Sequence, residues 1–171
     1  MSKMNALPNI FTFANLACGI FSLLMTFNSN YKWACLYIII AGLIDRYDGR
    51  VARFLQVSSD IGKELDSLAD LVSFGVAPSI LVFNLYNYMN LGFIGYILVL
   101  IFPIAGAYRL ARYNATPFNN VFMGIPITIA GTFLALFALI TLDFRAHPAL
   151  SIILIVLLSY LMVSKFQIKK V

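Results

Sequence analysis

The sequence has little charge for its length. Charged residues make up 11% of its 171 residues, while hydrophobic residues make up 61%. A soluble domain typically carries about 25% charged residues, so this composition excludes a soluble protein and indicates an integral membrane protein. The net charge of +5 is better explained by lipid headgroups than by nucleic acid, because the basic residues flank apolar runs.

Cysteine and histidine are also scarce. Cys18 and Cys35 lie within apolar runs, which favours small buried side chains over a disulfide or a metal pair. His147 is the only histidine and lies far along the chain from the acidic residues, so we expect an interfacial role for it. The N-terminus lacks the arrangement of a signal peptide, and the first apolar run is therefore predicted to be a retained anchor.

Acidic residues are concentrated in one stretch, residues 45–70. This stretch holds six of the seven acidic residues, namely Asp45, Asp48, Asp60, Glu64, Asp66 and Asp70. Carboxylates at this density in an apolar chain need a compensating partner, and hard divalent cations such as Mg²⁺ prefer oxygen ligands. A solvated loop between membrane helices would account for the charges but not for their spacing.

The spacing predicts two helix faces that bear carboxylates. Asp45 and Asp48 are three residues apart, and Asp66 and Asp70 are four apart, so each pair shares one helix face. The short connection at 54–61 makes the two helices antiparallel neighbours, which can present four carboxylates to each other. Two metal ions about 3.5–4 Å apart are a known solution for phosphoryl chemistry.

Six apolar segments are long enough to cross a bilayer, at about 20 residues per crossing. They lie near 8–27, 33–53, 62–86, 92–113, 122–142 and 148–164. Pro78 and Pro103 fall inside the third and fourth segments, where a proline is expected to kink a helix. The sequence YNYMN at 86–90 is typical of a polar turn.

The basic residues predict the orientation of these segments. With the N-terminus inside, ten basic residues lie on the inner side: Lys3, Arg46, Arg50, Arg53, Lys63, Arg109, Arg112, Lys165, Lys169 and Lys170. Only Lys32 and Arg145 lie outside, so both termini and the acidic stretch are predicted to be cytoplasmic. The predicted fold is an all-α integral membrane protein, a six-transmembrane-helix bundle with a polar cavity facing the cytoplasm.

The acidic stretch resembles the signature of the CDP-alcohol phosphotransferases. The matching residues are Asp45-x2-Asp48-Gly49-x2-Ala52-Arg53-x8-Gly62-x3-Asp66-x3-Asp70. Other stretches resemble the phosphatidylserine synthases of this superfamily: LPNIFTFANLACGIFSLL, GKELDSLADLVSFGVAPSIL, ARYNATP and FMGIPIT. Together they cover about half of the chain, and the signature shows no departure from the family pattern. The resemblance implies a single CDP-alcohol phosphotransferase domain over residues 1–171.

Enzymes of this kind transfer a phosphatidyl group from CDP-diacylglycerol to L-serine and release CMP. The resemblance implies two divalent cations, Mg²⁺ or Mn²⁺, held by Asp45, Asp48, Asp66 and Asp70. It also implies that Asp70 is the base for the serine hydroxyl and that the protein is a homodimer among membrane lipids. The residues implied for the CDP site are Gly49, Ala52, Arg53 and Gly62. Because His147 is unsuited to a covalent phosphohistidine, direct displacement on phosphorus is favoured.

Polar residues outside the acidic stretch have two interpretations each. Arg109 and Arg112 are explained equally well by anchoring at the inner membrane surface and by binding the carboxylate of serine. Asn9, Thr12 and Asn15 form a stripe at the start of the first helix, which favours capping or helix–helix hydrogen bonding over contact with nucleotide or acceptor.

Two alternative functions remain open at this point. The same chemistry could use glycerol 3-phosphate or inositol phosphate, whose phosphate could bind Arg109 together with Arg112. A small cation transporter would place carboxylates near the bilayer centre on several helices. Here they fall on two adjacent helices at one end, beside glycines and an arginine, which disfavours transport.

Overall fold

The described part of the protein is built almost entirely of helices, which pack against one another as a bundle. The computed structural model describes residues 6–55, 60–115, 121–142, 148–164 and 167–169, with the backbone alone described at 6–8, 48–55, 60, 121–123 and 167–169. Its helices are α1 (Ala6–Phe27), α2 (Tyr31–Leu55), α3 (Asp60–Asp70), α4 (Ala77–Leu85), α5 (Phe93–Ala115), α6 (Ile127–Thr141) and α7 (Pro148–Val163). A π turn (Leu71–Val76) joins α3 to α4, and a short 3₁₀ helix (Tyr88–Leu91) precedes α5.

The helices are apolar enough for a membrane. Within the described residues, three helical segments are long and apolar enough to cross a bilayer: Asn9–Phe27, Ile61–Leu85 and Phe93–Ala115. Two shorter apolar helices are Ile127–Thr141 and Pro148–Val163. Large apolar side chains remain exposed along their outer faces, such as Phe93 (78% exposed) and Tyr160 (70%). This surface suits lipid rather than water, and the protein is an integral membrane protein.

The predicted fifth helix begins later than expected. Residues 122–142 were predicted to be helical, but α6 starts at Ile127, after the short strand β1 (Val121–Met123). Gly124 has a φ of +74° and Pro126 precedes the first helical residue, so the backbone leaves helical geometry there. β1 pairs antiparallel with β2 (Gln167–Lys169), a small addition to the predicted all-α fold.

The π turn lies where Pro78 interrupts the helical ladder. Proline has no N–H, so Pro78 cannot donate to the carbonyl of Phe74 four residues earlier. The Ala77 N–H instead donates to Val72 O, five residues back, which is the π pattern. The predicted third helix is therefore continuous over residues 60–85, but its hydrogen-bonding pattern changes from α to π directly after Asp70.

The π turn is packed between α1 and α6 at two glycines. A Cβ on Gly19 of α1 would lie 2.9 Å from Ser73 Cα, and a Cβ on Gly131 of α6 would lie 2.7 Å from Phe74 Cα. Both distances are shorter than real Cβ contacts, so these helices approach the π turn only because glycine has no side chain. The turn that follows Asp70 is thus held from both sides.

We expect Gly131→Ala to destabilise the protein strongly. The added methyl group would meet the backbone of Phe74, which cannot rotate away, so overpacking should lower the free energy of unfolding by about 1–3 kcal/mol or more. Thermal unfolding in detergent micelles measures this. Gly42→Ala is the matched control, because its nearest neighbour is the Thr132 side chain at 3.0 Å, which can move. Equal stability of the two variants would contradict this packing.

The predicted polar turn at 86–90 contains a buried tyrosine. Tyr88 has no exposed surface, and its hydroxyl donates to Ser151 Oγ on α7 at 2.8 Å. Its ring packs edge-on against Phe83 at 6.3 Å. Burial raises the pKa of Tyr88 to about 12, so the hydroxyl stays protonated and remains a donor at neutral pH.

Candidate functional site

Three of the predicted carboxylates converge between α2 and α3. Asp45, Asp66 and Asp70 each place a carboxylate oxygen within 4.8 Å of the other two. Asp45 and Asp66 are half-buried, whereas Asp70 is only 7% exposed. Asp66 and Asp70 share one face of α3 because they are four residues apart, as the spacing predicts.

This cluster fits divalent cations. Each pair of ionised carboxylates at such a distance repels by roughly 3–4 kcal/mol at an effective dielectric constant of about 20. A bound cation removes that repulsion, and three carboxylates form an oxygen donor set suited to Mg²⁺ or Mn²⁺. The donor chemistry therefore agrees with the predicted metal site.

The other predicted residues of the acidic stretch are placed only in part. Asp48, Gly49, Ala52 and Arg53 belong to α2, but their side chains lie outside the described residues. Gly62 is in the first turn of α3 and is half-buried. Their predicted roles as metal ligand or CDP contacts remain predictions.

Asn15 of α1 connects to the carboxylate cluster. Its Nδ2 donates to Asp70 Oδ1 at 3.0 Å, and its backbone carbonyl accepts from Ser73 Oγ at 2.9 Å. Asn15 is 1% exposed, and its Oδ1 has no hydrogen-bond partner among the described residues. A buried unpaired acceptor costs about 1–3 kcal/mol. Helix–helix hydrogen bonding was the favoured interpretation of the polar stripe, and for Asn15 it is confirmed.

Arg109 of α5 is the buried cation of the site. It is 8% exposed, it interacts electrostatically with Asp70, and its Nε has no hydrogen-bond partner within the described part of the chain. Its guanidinium carbon lies 5.7 Å from the ring centre of Tyr113. A buried guanidinium with unused hydrogen-bonding capacity is suited to bind a carboxylate or phosphate.

Arg112 has different partners, although it lies one turn from Arg109. Its Nη1 donates to Val163 O at 3.0 Å, and its Nη2 lies 3.4 Å from the carbonyls of Met162 and Ser164. These carbonyls end α7, where a cation compensates the helix dipole. Arg112 therefore fastens the end of α5 to the end of α7.

The end of α5 is also held against α3. Asn114 Nδ2 donates to Ser67 Oγ at 3.0 Å and to Glu64 Oε1 at 3.2 Å. Lys63 Nζ lies 5.7 Å from the ring centre of Tyr113. These contacts use the face of α3 next to Asp66 and Asp70, and they explain how α5 brings Arg109 towards the carboxylates.

An apolar groove between α2 and α6 reaches the acidic cluster. It has a volume of about 470 Å³, and Asp45 and Arg46 contribute to its lining. The apolar side chains along it are Ile39, Leu43, Ile129, Phe133 and Leu136. The groove thus joins a lipid-like surface to a polar end at Asp45.

A family model and several similar proteins point to the same kind of enzyme. A family model described as CDP-alcohol phosphatidyltransferase matches residues 5–164. The CDP-diacylglycerol–serine O-phosphatidyltransferase of Bacillus subtilis is 40% identical, covering 96% of this chain and 90% of the relative. The Helicobacter pylori (strain 26695) protein of the same name is 37% identical, over 94% of this chain and 70% of its own length. The archaetidylserine synthase of Methanothermobacter thermautotrophicus is 34% identical, over 97% and 70% respectively.

Proposed function

The chain belongs to the CDP-alcohol phosphatidyltransferase family, and we propose that it transfers the phosphatidyl group of CDP-diacylglycerol, or of its ether-lipid equivalent, to L-serine. The products are phosphatidylserine and CMP. The convergence of Asp45, Asp66 and Asp70 in a membrane-embedded bundle carries this proposal, because divalent cations held by these carboxylates would neutralise the charge of a diphosphate. The names of the relatives support serine as the acceptor.

Two divalent cations complete the proposed site. Asp45, Asp48, Asp66 and Asp70 would hold them, and once bound they would neutralise the diphosphate and the charge that develops on CMP. Gly49, Ala52, Arg53 and Gly62 would line the CDP site, where small residues let the nucleotide approach the backbone.

Asp70 is the proposed general base. It accepts the proton of the serine hydroxyl as the serine oxygen bonds to the phosphorus that carries diacylglycerol. The bond from that phosphorus to the oxygen of CMP breaks in the same displacement, so no covalent enzyme intermediate forms. The Arg109 guanidinium binds the carboxylate of serine, and its burial near Asp70 supports this role.

The architecture proposed for this reaction is one domain over residues 1–171, with six membrane-crossing segments and both termini in the cytoplasm. The excess of basic residues at one set of segment ends supports that orientation. It places the carboxylates on the side where CMP and serine are dissolved. We also propose that the protein is a homodimer.

The diacylglycerol part of the substrate is proposed to occupy the groove between α2 and α6. We expect Thr132→Trp, which fills this groove, to raise the KM for long-chain CDP-diacylglycerol about tenfold or more. Losing the burial of two methylene groups already costs ~1.6 kcal/mol. Ile140→Trp is the control, because Ile140 lies on the same helix, is 64% exposed and does not line the groove. An unchanged KM in Thr132→Trp would contradict this placement.

Acceptor competition tests the function itself. Purified protein with CDP-diacylglycerol and Mg²⁺ or Mn²⁺ is given serine, glycerol 3-phosphate or inositol phosphate, and CMP release is measured. We expect serine to be the preferred acceptor and a metal-free sample to be inactive. Preference for a phosphorylated acceptor would replace serine in the proposal, and the absence of CMP with every acceptor would refute phosphatidyl transfer.

A further inference from the structure

One buried side chain outside the acidic stretch makes direct contact with it. Asn15 belongs to α1, and Asp70 belongs to α3, 55 residues later. The bond between them is buried and 3.0 Å long. Asn15 is itself fixed, because Ser73 donates to its carbonyl and the contact between Gly19 and Ser73 holds the two helices close.

The chemistry of this bond determines how Asp70 is oriented. An ionised carboxylate has two acceptor oxygens, and the amide Nδ2 of Asn15 occupies Oδ1. The Asp70 carboxylate is thereby prevented from rotating away from Asp45 and Asp66, although their charges repel it.

A purely structural asparagine would be expected to pair both ends of its amide. Asn15 pairs its nitrogen, yet its Oδ1 is buried without a partner in the described residues. Unsatisfied buried groups are uncommon and often mark functional sites. The hydrogen bond to Asp70 is therefore formed although the second polar atom of Asn15 is left unpaired, at a cost in stability to the α1–α3 contact.

We infer that Asn15 is a positioning residue that holds the Asp70 carboxylate in its metal-binding orientation before cation and substrate arrive. This inference rests on the proposed function for its role in turnover, but the metal-binding step can be tested separately. Groups that orient metal ligands typically change metal affinity by about 10–100-fold when they are removed.

The test is Mn²⁺ binding to the full-length protein in detergent micelles without substrate, followed by electron paramagnetic resonance. Asn15→Leu removes the amide at similar volume, and Asn15→Ala removes it with less risk of overpacking. We expect both folded variants to bind Mn²⁺ about 10–100-fold more weakly than the wild type. In turnover assays we expect kcat to fall while the KM for CDP-diacylglycerol changes less than threefold.

Ser22→Ala is the matched control. Ser22 is a fully buried polar residue on α1, seven residues after Asn15, and its Oγ has no hydrogen-bond partner in the described residues. This variant should bind Mn²⁺ as the wild type does. A reduction similar to that in Asn15→Ala would show a general effect of altering α1 and would overturn the inference.

The remaining outcomes are also decisive. A folded Asn15 variant that binds Mn²⁺ within twofold of the wild type overturns the inference, as does a wild type that binds no Mn²⁺. If neither Asn15 variant folds, the residue serves the helix contact and the inference is again wrong. A wild type that binds Mn²⁺ but releases no CMP refutes the proposed function alone, because the comparison of metal affinities still stands.

Discussion

Replacing Asp70 with asparagine should reduce CMP release from CDP-diacylglycerol and serine by about 10²–10⁴-fold or more, the range expected for losing a positioned proton acceptor. Loss of a metal ligand would add to this effect. The fold should survive, because an asparagine side chain has nearly the same shape and its oxygen can still accept from Asn15. Asp66→Asn should have a comparable effect through the cation site.

The metal-free Asp70→Asn variant should be at least as stable to heat as the wild type. Three carboxylates lie within 4.8 Å of one another, so removing the most buried charge relieves repulsion when no cation is present. Thermal unfolding with and without Mn²⁺ measures this, and the stabilisation by Mn²⁺ should be smaller in the variant than in the wild type.

Glu64→Gln provides the matched control for loss of a carboxylate on the same helix. Glu64 is exposed and accepts a hydrogen bond from Asn114, and glutamine retains an acceptor oxygen. Its turnover should stay within about twofold of the wild type, the size of effect typical of surface changes. Wild-type activity in a folded Asp70→Asn variant would contradict the role assigned to Asp70.

Helical spacing and a short connection between two helices predicted the convergence of Asp45, Asp66 and Asp70, whereas the side chain of Asp48, the fourth predicted carboxylate, lies outside the described residues. The interval between Asp66 and Asp70 places both on one face, and the short connection to the preceding helix brings Asp45 opposite them. The same apolar runs predicted most helix boundaries within a few residues. The start of α6 was missed because an apolar run does not distinguish a helix from the extended segment that Gly124 and Pro126 impose.

Contacts between distant helices could not be predicted in the same way. The polar stripe on α1 indicated that Asn15 has a partner, but the rotation of α1 relative to α3, which selects Asp70, is a property of the packed bundle. Pro78 predicted an irregular helix, whereas the π turn also requires that Gly19 and Gly131 allow the neighbouring helices to approach. The composition of YNYMN predicts a polar turn but not the burial of Tyr88, because its partner Ser151 lies 63 residues away in the sequence.

Arg109 and Arg112 show most clearly that sequence spacing does not predict contacts between distant helices, because the sequence gives no reason to distinguish them. They are three residues apart on α5, yet Arg112 donates to the carbonyls at the end of α7, while Arg109 is buried near Asp70. Of the two, Arg109 is therefore the one proposed to bind the acceptor.

Arg109→Ala should raise the KM for serine by about 30-fold or more, because removing one partner of a buried charge pair costs ~2 kcal/mol or more. The KM for CDP-diacylglycerol should change much less. Arg109→Lys should recover only part of the loss, since lysine cannot form the paired hydrogen bonds of a guanidinium with a carboxylate. Steady-state kinetics with each substrate varied in turn measures both effects.

Ethanolamine separates the role of Arg109 from general damage to the site, because it has the amine and hydroxyl of serine but no carboxylate. Wild-type protein should prefer serine, and Arg109→Ala should remove most of that preference while leaving the weak use of ethanolamine unchanged. Arg112→Ala is the paired comparison. It should lower thermal stability through the end of α7 and keep the preference for serine. If Arg112→Ala abolished the preference for serine and Arg109→Ala did not, the serine carboxylate would have to be assigned to Arg112 and not to Arg109.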